Sequence, residues 1–139
     1  MSLTTWKKQF YPKKPSSRMS WITATEHSLK KWMGALPGNV KKHGVEYKSH
    51  HIVHKKQYNL RMSFSYLTCA LCVKSMSIKI KDHIYCSVCP LQKMLGRSCD
   101  EYGVASIYEQ STNNPTAMIL TLQKLLKKLK NKEIKGGKR

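Results

Sequence analysis

Cys69-Ala-Leu-Cys72 and Cys86-Ser-Val-Cys89 are two Cys-x-x-Cys pairs with thirteen residues between them. Each pair can set two sulfurs on one tight turn, and two such turns supply the four soft donors of a tetrahedral zinc site. With Cys69, Cys72, Cys86 and Cys89 as ligands, a zinc ion would keep no open position for a reacting water, so the expected Zn2+ is structural. Cys89-Pro90 also matches the ending of some iron–sulfur motifs, but the dense cysteine clustering of a ferredoxin is missing. The fifth cysteine, Cys99, reads as a small buried hydrophobe, because the sequence offers no base to activate it.

His43, His50, His51 and His54 crowd one segment, and His51-Ile-Val-His54 has a metal-ligand spacing. His50-His51-Ile-Val followed by Asn59 resembles the metal-dependent HNH nucleases. Those usually place a cysteine pair ahead of the histidine motif and another histidine after the second pair, and neither feature is present. The seven carboxylates are dispersed and form no paired site, so no catalytic residue is assigned and the chain is expected not to be an enzyme.

Charge is the second signal. Against those seven acids stand 26 Lys and Arg, a net charge of +19. Four thiolates and one dication would remove only two units of it. The excess runs through every part of the 139-residue chain, which favours a polyanion as partner, either nucleic acid (DNA or RNA) or a nucleic-acid-handling complex. No apolar run reaches membrane-spanning length, and Met1-Ser-Leu-Thr-Thr-Trp-Lys-Lys lacks a signal-like apolar segment. A cytoplasmic setting is therefore expected, where paired cysteines serve more often as metal ligands than as disulfides.

The elements that must position these groups follow from the local pattern. Residues 1–20 mix lysines, aromatics and prolines and read as an extended basic arm, its aromatics anchoring it to the body. Thr23-Ala-Thr-Glu26 has capping-box spacing and predicts a helix to about Leu36, with Ile22, Leu29, Trp32, Met33 and Leu36 inward and Lys30 and Lys31 off that side. Pro37-Gly38 ends it, and a short turn over 39–43 closes at Gly44. Leu60, Met62, Phe64 and Tyr66 alternate with polar residues and predict a half-buried strand entering the first cysteine pair. Ile78, Ile80 and Ile84-Tyr85 predict a second strand leading to the other pair, and Pro90 to Gly96 a short helix. Asn113-Asn114-Pro115 opens a last helix whose stripe of Met118, Ile119, Leu122, Leu125, Leu126 and Leu129 opposes Lys124, Lys127, Lys128 and Lys130.

The order Thr5-Trp6-Lys7-Lys8-Gln9-Phe10-Tyr11-Pro12, Glu26-His27-Ser28-Leu29-Lys30-Lys31-Trp32, the two cysteine pairs, Pro90-Leu91, Gly96 and Cys99 resembles a group of small uncharacterised proteins encoded by bacteriophages and prophages. That resemblance implies phage origin and a host-cell cytoplasmic setting.

The expected fold is α+β: a zinc-ribbon or treble-clef-like core with an N-terminal helix and a C-terminal amphipathic helix. The expected units are the arm at 1–20, a zinc-binding domain at 21–130 and a flexible basic tail at 131–139. Lys7, Lys8, Lys13, Lys14, Lys124, Lys127, Lys128 and Lys130 are the expected phosphate contacts. The expected function is non-catalytic binding of nucleic acid or of a complex that handles it. The alternatives are a phage inhibitor of host machinery, such as RNA polymerase or an RNA-guided nuclease, and an HNH-like nuclease.

Overall fold

The computed structural model of the chain describes residues 3–57, 60–64, 68–77, 89–95 and 110–136. Within them the architecture is α+β, with helices packed around a small antiparallel sheet.

Contrary to the expected extended arm, Leu3–Phe10 is a helix, α1. Trp6 and Phe10 lie four residues apart and share one helical face, while the first proline comes only at position 12, past the helix end. Both rings are buried in the common core. Residues 3–10 are therefore part of the body, and the anchoring use of the aromatics is the one observed.

Helix α2, Trp21–Met33, begins three residues ahead of the expected start. Ser20 is its cap, its hydroxyl accepting from the Thr23 amide at 3.0 Å. Its buried positions are Ala24, Thr25, Ser28, Lys31 and Trp32. Lys31, expected at the surface, is 1 % exposed. The small residues Ala24 and Ser28 let a neighbouring helix approach, and Lys31 lies on the same face one turn further on.

Gly34 follows the helix in an ordinary right-handed conformation, so close approach is what demands glycine here. A Cβ at this position would meet Phe10 Cγ at 2.6 Å and Trp6 Cζ2 at 2.7 Å. Trp6 Nε1 donates to the Gly34 carbonyl at 2.9 Å in the same contact.

Pro37–Lys42 forms α3, with proline in its first turn and Gly44 at φ 66° closing the segment, the left-handed conformation expected there. Val45–Lys48 (β1), His51–His54 (β2) and Arg61–Ser63 (β3) pair antiparallel in the order β1-β2-β3. The register places Val45 opposite His54, Tyr47 opposite Ile52 and Ile52 opposite Met62 on the core face. Met62 and Phe64 point inward as their alternation predicts, whereas Leu60 lies outside the strand and is exposed. Phe64 joins the layers, 4.9 Å from Trp32 edge-to-face, 5.5 Å from Tyr47 and 6.0 Å from Trp6 between ring centroids.

The β1–β2 turn holds Ser49 at φ 50° and His50 at φ 62°. Two successive left-handed residues suit a two-residue hairpin, but neither is the Asn or Gly that such a turn prefers. The turn is clamped from outside: the Ser49 amide donates to Asn113 Oδ1 and the His50 amide to the Thr112 carbonyl, each at 3.0 Å. Replacing Ser49 by Asn and His50 by Gly should relieve about 1 kcal/mol of strain. The expected result is a rise of several degrees in Tm by circular dichroism, and an unchanged or lower Tm would refute it.

Ala70–Ser77 (α4) packs on α2, and Pro90–Leu95 (α5) packs on the long helix Thr116–Gly136 (α6). Asn114 Oδ1 accepts from the amide and hydroxyl of Thr116 at 3.0 and 2.7 Å, supplying the expected cap. Met118, Ile119, Leu122 and Leu125 are buried and Leu129 partly so, with α2 as the main docking surface. The helix continues through the first six residues expected as tail. No helix among the described residues is long and apolar enough to cross a membrane.

Candidate metal and nucleic-acid sites

The first cysteine pair does not sit on a ribbon knuckle. Cys69 directly precedes α4 and its carbonyl accepts from the Val73 amide at 2.9 Å, while Cys72 lies in the first turn. Ala70, Leu71 and Ser75 are buried, so the residues after Cys69 are held as a helix by packing rather than as a strand. Cys89 stands likewise at the start of α5, its carbonyl accepting from the Lys93 amide at 3.0 Å. The strand expected over 78–85, Cys86, Tyr66, Asn59 and Cys99 lie outside the described residues.

The surroundings of Cys69 come from two other elements. Helix α2 delivers Ser28, whose hydroxyl is 3.8 Å from Cys69 Sγ, and the ammonium of Lys31. Lys31 Nζ donates to the Thr68 carbonyl at 3.2 Å and to Thr68 Oγ1 at 3.3 Å, and it lies 4.9 Å from the centre of the Phe64 ring. Thr68 Oγ1 in turn donates to the Ser63 carbonyl at 2.9 Å, which ties the approach to Cys69 to the end of β3. A hydrogen bond from Cys72 is the largest influence on Cys69; burial opposes it, and the Lys31 charge and Ser28 reinforce it. The thiol is held down to about 5 from an ordinary 9.0. The phenol of Tyr11 is pushed up, first by its own burial and then by the negative charge at Cys69.

A zinc ion would thus find two sulfurs on one helical turn, one of them already ionised, which fits its thiolate preference. Cys69, Cys72 and Cys89 are free of disulfides. Among the described residues no group of three or more His, Cys, Asp or Glu could hold a metal.

The histidines do not converge. His43 is buried, Nδ1 accepting from Thr5 Oγ1 at 2.9 Å and Nε2 donating to Gln9 Oε1 at 2.7 Å, so one neutral tautomer clamps α1. Burial and the neighbouring Lys42 lower its proton affinity to match. His51 and His54, three apart on β2, point to opposite faces of the sheet and cannot share a metal.

All eight lysines expected to meet phosphate are exposed. Lys124, Lys127 and Lys128 lie away from the buried stripe of α6 with Lys130 at its margin, and on α1 Lys8 lies opposite Trp6 and Phe10 with Lys7 at the margin. Lys13 and Lys14 follow α1. Among the described side chains the carboxylates are Glu26 and Glu46.

Sequence reasoning missed Lys31, Ser28 and Tyr11 around Cys69. The available signal was the pair of small residues Ala24 and Ser28 on the face that Lys31 shares. Comparisons of the chain with protein-family models, with curated proteins and with solved structures found no match.

Proposed function

We propose that this chain is a non-catalytic, zinc-binding basic protein that engages nucleic acid or a complex that handles it. The observation that carries this reading is α6: one face docks on the body while four lysines within seven residues are exposed to solvent. A cationic face built this way costs self-repulsion and offers a polyanion many phosphate partners. The thiolate at Cys69 beside Cys72 supports Cys69, Cys72, Cys86 and Cys89 as the zinc ligands, the metal serving to fix the cysteine turns. The resemblance of the residue order to small phage and prophage proteins is the ground for including a phage origin and action in the host cytoplasm in this proposal.

A second reading, inhibition of a host nucleic-acid machine, draws on an apolar groove of about 250 Å³ lined by Phe10, Leu29, Met33 and Leu126, with Glu26 and Lys30 at its rim. Such a groove gives a protein partner something to bury beside the cationic helix.

Purified protein is expected to contain one zinc per chain by elemental analysis, and Cys69→Ser and Cys86→Ser variants to contain none. Binding to labelled DNA or RNA should weaken steeply with salt. A flat salt dependence would remove the nucleic-acid reading. A protein partner retained on the tagged chain after nuclease treatment would favour the inhibitor.

A further inference from the structure

The outer face of the sheet and the side of β1 away from β2 form a second cationic surface, distinct from the lysine face of α6. Register places Glu46, Val53 and Arg61 in one outward row and Lys48, His51 and Ser63 in the next. A depression of about 290 Å³ lies over this face, lined by Glu46, Lys48, Ser49, His51, Val53 and Arg61. A larger cleft of about 580 Å³ runs along β1 on its other side, bringing in Lys41 from α3, Lys55 beyond β2, and Asn113 before α6.

The two depressions share Glu46 and Lys48, so they adjoin at β1. Among the described residues β1 pairs with β2 on one side, and the cleft borders its other side. Lys41, Lys48, Lys55 and Arg61 are all exposed, and one carboxylate, Glu46, stands among them.

We propose that this track, Lys41 and Lys55 to Lys48 to Arg61, is a nucleic-acid backbone-binding surface. The inference rests on the nucleic-acid reading and names where contact is made. Two adjoining depressions bridged by a lysine suit successive phosphates of a polymer better than one isolated anion. Among the described residues the outward sheet face carries one ring, His51, so those residues offer little platform on which bases could stack. Binding is then directed at phosphates and tolerates any sequence.

The test uses the full chain with fluorescein-labelled single-stranded DNA, the same DNA as a duplex, and the matching RNA, titrated by anisotropy across a range of salt. The variant carries Lys41→Gln, Lys48→Gln, Lys55→Gln and Arg61→Gln, and circular dichroism checks its fold; a companion carries Lys124→Gln, Lys127→Gln, Lys128→Gln and Lys130→Gln. The track variant is expected to bind at least about tenfold more weakly at moderate salt. Its slope of log affinity against log salt should be shallower by about 3, at 0.7 to 0.9 for each lost contact. A track variant that binds within about twofold of the unaltered chain, while the companion loses binding, would overturn the track and leave the nucleic-acid reading standing. No salt-dependent binding by the unaltered chain to any probe would remove both.

Discussion

Trp6→Ala is expected to cost about 3–5 kcal/mol of folding stability, a loss typical of truncating a large buried aromatic. Domains of this kind hold only about 5–15 kcal/mol in all, so the variant would keep a narrow margin at best. The expectation follows from what Trp6 touches. It has no exposed surface, lies 5.7 Å from Phe10 and 6.0 Å from Phe64 between ring centroids, and donates to the Gly34 carbonyl. Gly34 has no room for a methyl group, so the cavity left by the indole faces a backbone already committed to this contact. Thermal unfolding should show Tm lower by more than about 10 °C. Trp6→Phe separates the two contributions, because it keeps most of the apolar area and orphans only the Gly34 carbonyl, at about 1–3 kcal/mol. If residues 1–20 were an independent arm, both variants would unfold at the unaltered temperature, and the packing described above would be wrong.

That contrast shows which parts of the fold local pattern can reveal. Helix α6 was legible because its stripe from Met118 to Leu129 repeats at helical spacing over several turns and opens with Asn114-Pro115. Gly44 and the inward alternation of Met62 and Phe64 were legible for the same reason: each obeys a backbone rule that needs no partner. Helix α1 was not, because eight residues carry too few apolar positions to outweigh the prolines that follow, and its helicity is stabilised by Gly34, His43 and Phe64 from distant parts of the chain. The start of α2 was misplaced by three residues because Ser20 and Thr23 are both competent caps, and the buried face decided between them. At the candidate site the spacing of the cysteines pointed to thiolate chemistry, but the helix after Cys69 depends on burial of Ala70 and Leu71 in the core, which spacing does not encode. Lys31 was hidden by the ordinary rule that lysines face solvent. Its stem is buried on the face of Ala24 and Ser28, and its ammonium is satisfied by Thr68, 37 residues away in sequence.

Lys31 leads to the second large effect. In metal-free protein, Cys69 is expected to alkylate with a pH profile that is level from neutral pH down to about 6 and falls through about 5. An ordinary thiol, near 9.0, is only about one per cent ionised at pH 7, so the thiolate fraction at Cys69 is on the order of a hundred times larger. Peptide mass spectrometry after short iodoacetamide pulses reads the profile at this one residue. Cys72→Ala removes the strongest support and should shift the midpoint furthest upward; Lys31→Met keeps the buried stem, removes the charge and should shift it upward by less. A midpoint near 9 in the unaltered protein, or one that neither variant moves, would refute the arrangement of Cys69, Cys72 and Lys31. The same ionisation has a stability consequence whose sign is set by proton counting. Between about pH 5 and 9 the unfolded chain holds a proton on Cys69 that the folded chain has released, so stability rises with pH across that window and is lost as pH falls toward 5. Cys69→Ser should flatten that part of the metal-free stability curve while leaving the part due to His43, which burial also disfavours in its protonated form. A thiolate formed before any metal arrives would also ease proton competition for zinc, so the midpoint pH for zinc release should be lower in the unaltered chain than in Lys31→Met.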